Sequence, residues 1–325
     1  MKRVLITGGA GFIGSTLADR LLDDGVEVAI LDDFRTGRRE FIASALERGA
    51  ELFEGDILDG GLLAASVAGV DTVFHLQANA DVRHGLEHPQ RDLEQNTIAT
   101  SNVLEAMRAA GARRICFSST GSVYGDHTQV PTPEDAAFPI QTSLYGASKV
   151  AGEGMISAYA VGFGFTGVIF RFVSLLGERY THGHVIDFYR QLKADPTRLS
   201  ILGNGQQRKS YLYVQDCVSA MLTALHHHGD APGAHVYNLG RDEIVTVDES
   251  IATITGHLGI DPEIARQADK DRGWAGDSPL IHLDTTKLES LGWAPTLTIR
   301  DAITRTLDWF EREPGIVLQQ EPSHS

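Results

Sequence analysis

Residues 7–14 read TGGAGFIG. They follow the apolar, β-rich run KRVLIT (2–7) and lead into apolar residues at helical spacing, Ile13, Leu17 and Leu21. Glycines between a strand and a helix let the chain turn tightly and let backbone N–H groups approach a pyrophosphate at the helix N-terminus. Gly8, Gly11 and Gly14 are spaced G-x-x-G-x-x-G, and Gly9, Gly11 and Gly14 also satisfy G-x-G-x-x-G. The next strand-like run, VEVAILDD (26–33), ends in Asp32-Asp33. An acid at that point accepts hydrogen bonds from the adenosine ribose hydroxyls and repels a 2′-phosphate, which favours NAD over NADP. Asp56-Ile57, closing the third run ELFEGDI (51–57), suits a contact to the adenine.

Working outward, DTVFHL (71–76), RRICFSS (113–119) and TGVIFRF (166–172) read as further strands separated by helical stretches. Such alternation predicts an α/β fold, a doubly wound parallel sheet of Rossmann type with crossover helices. The predicted organisation is a dinucleotide-binding domain over 1–172, a smaller mixed α/β lobe over 173–312, and a tail over 313–325. The lobe covers the carboxyl ends of the strands, where open α/β sheets bind ligands. Short strands LSILG (199–203), SYLYV (210–214) and AHVYNLG (234–240) are assigned to it, with helices near 215–228, 247–258 and 299–312. The last residues, QQEPSHS, read as a disordered end.

Composition narrows the function classes. A net charge of −15 argues against nucleic acid and anionic membranes as partners. It leaves room for a small anionic ligand, which needs only a few local cations or a helix N-terminus. No run approaches the ~18 apolar residues of a membrane span. The start of the chain is basic and then apolar, but its glycines argue against a signal peptide. Cys116 and Cys217 both sit in apolar runs and read as buried thiols in a reducing compartment, so the expected location is cytoplasmic. His226-His227-His228 diverge around a helix and have no partner at ligand spacing, so they read as a solvated helix end, and no metal site is expected.

Two segments carry chemistry. Tyr145 and Lys149 in YGASK (145–149) share one helix face. A tyrosine hydroxyl, with an ordinary pKa of about 10, becomes a base near neutral pH only with around 4 kcal/mol of electrostatic help. An ammonium one turn away and a nicotinamide cation are expected to supply it. STGSVYG (119–125) stands at the carboxyl end of a strand and is either a simple turn or part of an active site.

With these motifs the chain resembles the extended short-chain dehydrogenase/reductase family, and within it the nucleotide-sugar epimerases typified by UDP-glucose 4-epimerase. The resemblance covers residues 1 to about 312. It rests on TGGAGFIG, GDI, HLQANADVR, STGSVYG, YGASK, GNGQQRKSYLYV and RGWAGD. It implies that Gly8, Gly11, Gly14 and Asp32 hold NAD, with Phe12, Ile13, Asp33, Asp56, Ile57, Leu76, Gln77, Ala78, Asn96 and Ser118 around it. Tyr145 is the implied base, Lys149 its helper, and Thr120 the relay between the sugar 4-hydroxyl and the tyrosine. Related 4,6-dehydratases follow this threonine with Asp-Glu, and related decarboxylases carry a Glu at the second position. Here those positions are Gly121 and Ser122, neither of which has a useful pKa. What remains is epimerisation at C4 through a 4-keto sugar.

The resemblance further implies that Arg208 or Lys209, together with Arg272 and backbone N–H groups near Gly183–His184 and Val185, grip the diphosphate. Ser174 stands where the family usually has Asn, and Lys209-Ser210 where it usually has Arg-Asp. Asp277 closes RGWAGD, and Ile281 borders the pocket for the C2 substituent. Neither the sugar nor the nucleotide base is fixed by these residues. A one-way 4-ketoreductase and a non-catalytic NAD-binding protein are the alternatives. The helices near 95–110 and 145–160 imply a homodimer built on a four-helix interface.

Overall fold

A computed structural model describes residues 1–79, 88–126, 129–137, 140–267 and 280–318. Its centre is a seven-stranded, all-parallel sheet. The strands are β1 (Arg3–Thr7), β2 (Glu27–Asp32), β3 (Glu51–Glu54), β4 (Thr72–His75), β5 (Arg114–Thr120), β6 (Thr166–Phe172) and a last strand, Gly233–Leu239. In space they run β3-β2-β1-β4-β5-β6 and then Gly233–Leu239. The order reverses between β1 and β4, so the chain leaving these strands diverges there and opens a crevice. Val4, Leu5 and Ile6 are fully buried, because helices cover both faces of the sheet. One face packs on the helices Phe12–Asp23 and Val214–His228, the other on Gly60–Val67, Ala99–Ala110 and Leu144–Phe163.

Helix limits follow local chemistry. The Tyr145 helix, Leu144–Phe163, starts where the Ser143 hydroxyl accepts the Gly146 N–H, and it ends at Gly164, which takes a left-handed φ of 69°. The helix Val247–Leu258 opens with a capping box between Thr246 and Glu249.

The expected strands and helices form, with four differences. AHVYNLG, assigned to the smaller lobe, instead joins the main sheet: Gly233–Leu239 pairs with β6 along its length. The helix Val214–His228 is its crossover, so the chain returns to the sheet well after residue 172. β3 stops at Glu54, short of Asp56, because Gly55 turns the chain at a φ of 154°. Residues 314–317, placed in the tail, form a helical turn with Val317 buried and its carbonyl held by Arg190. His228 is not simply solvated: it stacks on His235 at 3.5 Å and bonds the Tyr237 hydroxyl at 2.7 Å. The segment QQEPSHS lies outside the described residues.

A second apolar cluster gathers Tyr180, Tyr189, Leu199, Ile254, Ile303 and Phe310 beside the sheet. Short strand pairs carry this region: Ser174–Leu176 with Tyr211–Tyr213, Arg198–Ile201 with Glu263–Arg266, and Arg208–Lys209 between Val245–Thr246 and Leu280–Ile281. Both cysteines are buried free thiols.

Beneath the carboxyl end of β5 lies an ion pair between Glu153 and Arg171, with side chains only 5% and 4% exposed. Arg171 donates to both carboxylate oxygens at 3.0 and 2.7 Å, to the Tyr124 hydroxyl at 2.7 Å and to the Glu134 carbonyl at 3.0 Å. Ser119 donates to Glu153 as well, and the Tyr124 hydroxyl donates to Asn238 Oδ1 of the last strand at 2.8 Å. Removing one partner of a buried pair leaves the other charge uncompensated, at a cost of about 3–5 kcal/mol. Urea unfolding of Glu153→Ala should show that loss, and Glu153→Leu combined with Arg171→Met should lose less than the single change. A double variant whose loss equals the sum of the two single losses would show that the charges do not depend on each other.

Candidate active site

The glycine loop is a cradle that side chains would fill. Gly8 has a φ of 69°, and a Cβ on it would meet the Gln77 backbone at 2.8 Å. A Cβ on Gly14 would lie 2.3 Å from the Gly8 carbonyl oxygen, and one on Gly11 3.2 Å from it. The helix Phe12–Asp23 begins at Gly11 with no side-chain cap, so its first N–H groups face the loop's opening. Such a cradle, at a helix N-terminus over the crevice between β1 and β4, fits a dinucleotide pyrophosphate.

Asp32 closes β2 with its carboxylate directed to the loop, accepting the Ala10 N–H at 2.8 Å and the Phe34 N–H at 2.9 Å. Burial pushes its carboxyl up, and those two N–H groups oppose the push. Arg35 ties Asp33 at 3.1 Å to Asp56 at 2.5 Å. Burial of Asp56 acts upward on its carboxyl but is outweighed by the Leu58 N–H and by Arg35, so the net shift is downward. Ile57 is buried in the core, which leaves only its backbone for a ligand. Phe12 and Ile13 are half-buried, and Phe12 meets Tyr180 edge-on at 5.8 Å.

Across the crevice, Leu76, Gln77 and Ala78 follow β4 and are half-buried. Gln77 bonds Thr7 through its N–H and Gln95 through its side chain. Asn96 is buried and accepts the Asn79 N–H at 2.7 Å while donating to Ser148 at 2.9 Å and Asp92 at 3.2 Å. Residues Leu93–Ile98 form a π-helical turn that buries both Gln95 and Asn96.

The three reactive side chains come together. Thr120, the last residue of β5, caps the short turn Gly121–Tyr124 by accepting the Ser122 N–H at 3.1 Å. Its hydroxyl also bonds Tyr145, in the first turn of the Tyr145 helix. Lys149 is buried, and its ammonium donates to the Ser118 carbonyl at 2.7 Å, 5.8 Å from the centre of the Tyr145 ring. Burial takes Lys149 down to about 7, against the pull of Asp92 and Glu153.

Burial and the Asp92 carboxylate push the Tyr145 hydroxyl up, and the Thr120 bond only moderates this. The Lys149 ammonium is turned to the Ser118 carbonyl.

The residues predicted for the nucleotide sugar converge as well. Ser174 pairs in register with Tyr211, whose hydroxyl lies 3.0 Å from His184 Nδ1. His184 opens the helix His184–Ala194. Burial and the nearby Lys209 take it down to about 4. Its buried Nε2 has no hydrogen-bond partner among the described residues. Val185 is fully buried, and its N–H bonds the Tyr180 hydroxyl. Lys209 pairs in register with Ile281, which brings strand Leu280–Ile281 to the same place, while Arg208 is exposed. Arg272 and Asp277 lie outside the described residues.

Sequence reasoning did not name Asp92, Asn79, Gln95, Ser148, Glu153 or Arg171. Glu153 had a signal, since it continues the Tyr145–Lys149 face one turn further. Arg171 had one too, as a charge inside an apolar strand. Asp92 acts through a π-helical turn, which leaves no spacing signal.

Comparison with known proteins agrees with this arrangement. Residues 4–240 match the model of the NAD dependent epimerase/dehydratase family. A UDP-glucose 4-epimerase of Mycolicibacterium smegmatis is 34% identical over 321 residues, spanning 96% of this chain and 99% of that one. A solved UDP-galactose 4-epimerase superposes with a TM-score of 0.85 at 39% identity, covering 96% of this chain and 99% of that chain. UDP-glucose 4-epimerase of Thermotoga maritima, solved with UDP-glucose, superposes with a TM-score of 0.85 at 30% identity, covering 96% and 99%. The chain belongs to the NAD dependent epimerase/dehydratase family.

Proposed function

We propose that this protein inverts C4 of a nucleotide-diphosphate sugar, with UDP-glucose and UDP-galactose as the first pair to test. The observation that carries the reading is the turn after β5. Thr120 bonds Tyr145 and donates to Ser122 Oγ at 3.2 Å, and the next two residues are Gly121 and Ser122, so the turn offers hydroxyls and no carboxylate to serve as a second acid or base. Bound NAD would supply a hydride acceptor that can return hydride to either face of C4. Gly8, Gly11, Gly14 and Asp32 would hold it. Tyr145 Oη takes the 4-hydroxyl proton through Thr120 Oγ1, and Lys149 lends positive charge beside the ring. Lys209, half-buried next to His184, is the better placed cation for the diphosphate, with the free N–H groups at Gly183–His184 beside it. Inversion requires the sugar to turn, so the grip belongs on the diphosphate.

The protein is further proposed to be a cytoplasmic homodimer. Val161 is 92% exposed, and Phe163, Leu93 and Ile98 are 49%, 48% and 42% exposed on or beside the helices Ala99–Ala110 and Leu144–Phe163. Among the described residues no helix is long and apolar enough to cross a membrane. Light scattering should give twice the 35.2 kDa chain mass, and Val161→Glu with Phe163→Glu should give the chain mass alone. A wild-type monomer at micromolar concentration would defeat the assembly.

Tyr145→Phe keeps the ring and removes the base. Turnover should fall at least ~10²-fold with nucleotide-sugar affinity little changed. With substrate deuterated at C4, the inverted product should keep its label. Label lost to solvent at a rate independent of Tyr145 would mean inversion by deprotonation beside a carbonyl.

Lys149 also sets a pH dependence. Its folded value of about 7 lies below the ordinary 10.5, so between these the unfolded chain holds a proton that the folded chain has released. Stability from this group therefore rises with pH across that window. Lys149→Met, measured by urea unfolding without added cofactor, should gain most on the wild type near pH 7. The gain should shrink toward pH 10, and a gap constant with pH would contradict a depressed lysine.

A further inference from the structure

Gly121 stands directly after Thr120, at the head of the turn Gly121–Tyr124, and is buried. Its φ is not left-handed, so the backbone itself would accept any residue. Space forbids one. A Cβ on Gly121 would lie 2.9 Å from Ile281 Cγ2, 3.2 Å from the Phe172 carbonyl oxygen and 3.6 Å from Leu283 Cδ1. Contacts below 3.0 Å force something to move, and the candidates here are stiff. Ile281 Cγ2 sits on a branched Cβ with little rotamer freedom, and the Phe172 carbonyl belongs to β6.

Ile281 is anchored on its other sides. Its strand pairs with Lys209, and the following residues are tied to the loop before the Tyr145 helix: Thr132 N–H donates to the His282 carbonyl and Asp284 N–H to the Thr132 carbonyl, both at 2.9 Å. Asn238, fixed through Tyr124 and Arg171, donates to the carbonyls of Thr132 and Asp284. The wall that carries Ile281 is therefore held at a set distance from the turn that carries Thr120. The missing side chain at position 121 is what allows them to touch.

We infer that Gly121 is a specificity-determining residue. By lacking a Cβ it seats Ile281 against the reactive turn, and this contact sets the room beside Thr120 for the sugar and its substituents. The inference rests on the nucleotide-sugar reading and deepens it. The same contact keeps an acidic side chain out of position 121, so the restriction on sugar shape and the absence of elimination chemistry share one steric cause. Ile281→Ala deletes Cγ2 and makes the space that a Cβ at 121 needs.

The test is a double-mutant cycle on the full-length protein: wild type, Gly121→Ala, Ile281→Ala and the pair. Each is assayed for kcat/KM on UDP-glucose and UDP-N-acetylglucosamine, and for binding of both sugars and of UDP alone. Gly121→Ala should displace Ile281 and shift the ratio of kcat/KM between the two sugars at least ~5-fold, about 1 kcal/mol of discrimination. UDP binding should stay within ~2-fold. Adding Ile281→Ala should return the melting temperature toward wild type and should change the ratio by other than the sum of the two single effects, a non-additivity expected of residues in contact. An unchanged ratio in Gly121→Ala, or additive effects in the pair, would overturn the role of Gly121 while leaving the epimerase reading intact. A wild type that neither binds nor converts any nucleotide sugar would overturn that reading and the inference with it. If Gly121→Ala does not fold, Ile281→Ala with Gly121→Ala still decides, since the contact predicts that this pair folds.

Discussion

The buried Glu153–Arg171 pair is the constraint on which the site depends. Two charges in a nearly dry interior persist only when their remaining hydrogen-bonding capacity is met. Here Ser119, Tyr124 and the Glu134 carbonyl meet it. Those partners flank Thr120 on both sides. The residue before it is held by Glu153, and the end of the turn after it is held by Arg171 through Tyr124. The network then passes to Asn238 on the last strand and from there to the carbonyls of Thr132 and Asp284. The reactive turn and the wall facing it are thus parts of one hydrogen-bonded frame.

The face of the Tyr145 helix shows how burial competes with charge. Tyr145, Lys149 and Glu153 follow one another at helical spacing, and Asp92 approaches from the short turn Pro89–Asp92 that leads into the π-helical turn. Burial penalises any ion, so it drives Lys149 toward neutrality and Tyr145 toward the protonated form. The carboxylates act in opposite senses on the two groups, helping the ammonium and hindering the phenolate. The chain by itself stores the tyrosine as an acid. The proposed base would need further positive charge in the pocket, which a dinucleotide bound in the cradle would supply.

Much of this was legible in the sequence, for reasons that are local. The glycine loop is a short-range steric pattern, and Tyr145 and Lys149 are joined by helical geometry within a single turn. Strands such as TGVIFRF declare themselves because both their faces are buried. The return of Gly233–Leu239 to the main sheet was not legible, since its apolar pattern is the same whichever strand it pairs with. The opposite signs of the Asp92 effect were also hidden: they depend on distances that a π-helical turn sets. So was the meeting of Gly121 with Ile281, which joins parts of the chain that share no local pattern.

Chemistry in this site is decided as much by what is missing as by what is present. The parallel sheet brings the ends of β1, β4, β5 and β6 to one crevice, and any side chain placed there can reach a ligand. Selectivity then requires that some positions stay bare. At Gly8 and Gly14 the absent Cβ lets segments of the cradle's own backbone approach, because a Cβ would fall on the Gln77 and Gly8 backbones. At Gly121 the absent Cβ makes room for the protein, because the space is already taken by Ile281 and the Phe172 carbonyl. A glycine of the first kind tolerates nothing larger while the cofactor site is to be kept. One of the second kind can be relaxed by a change at its partner.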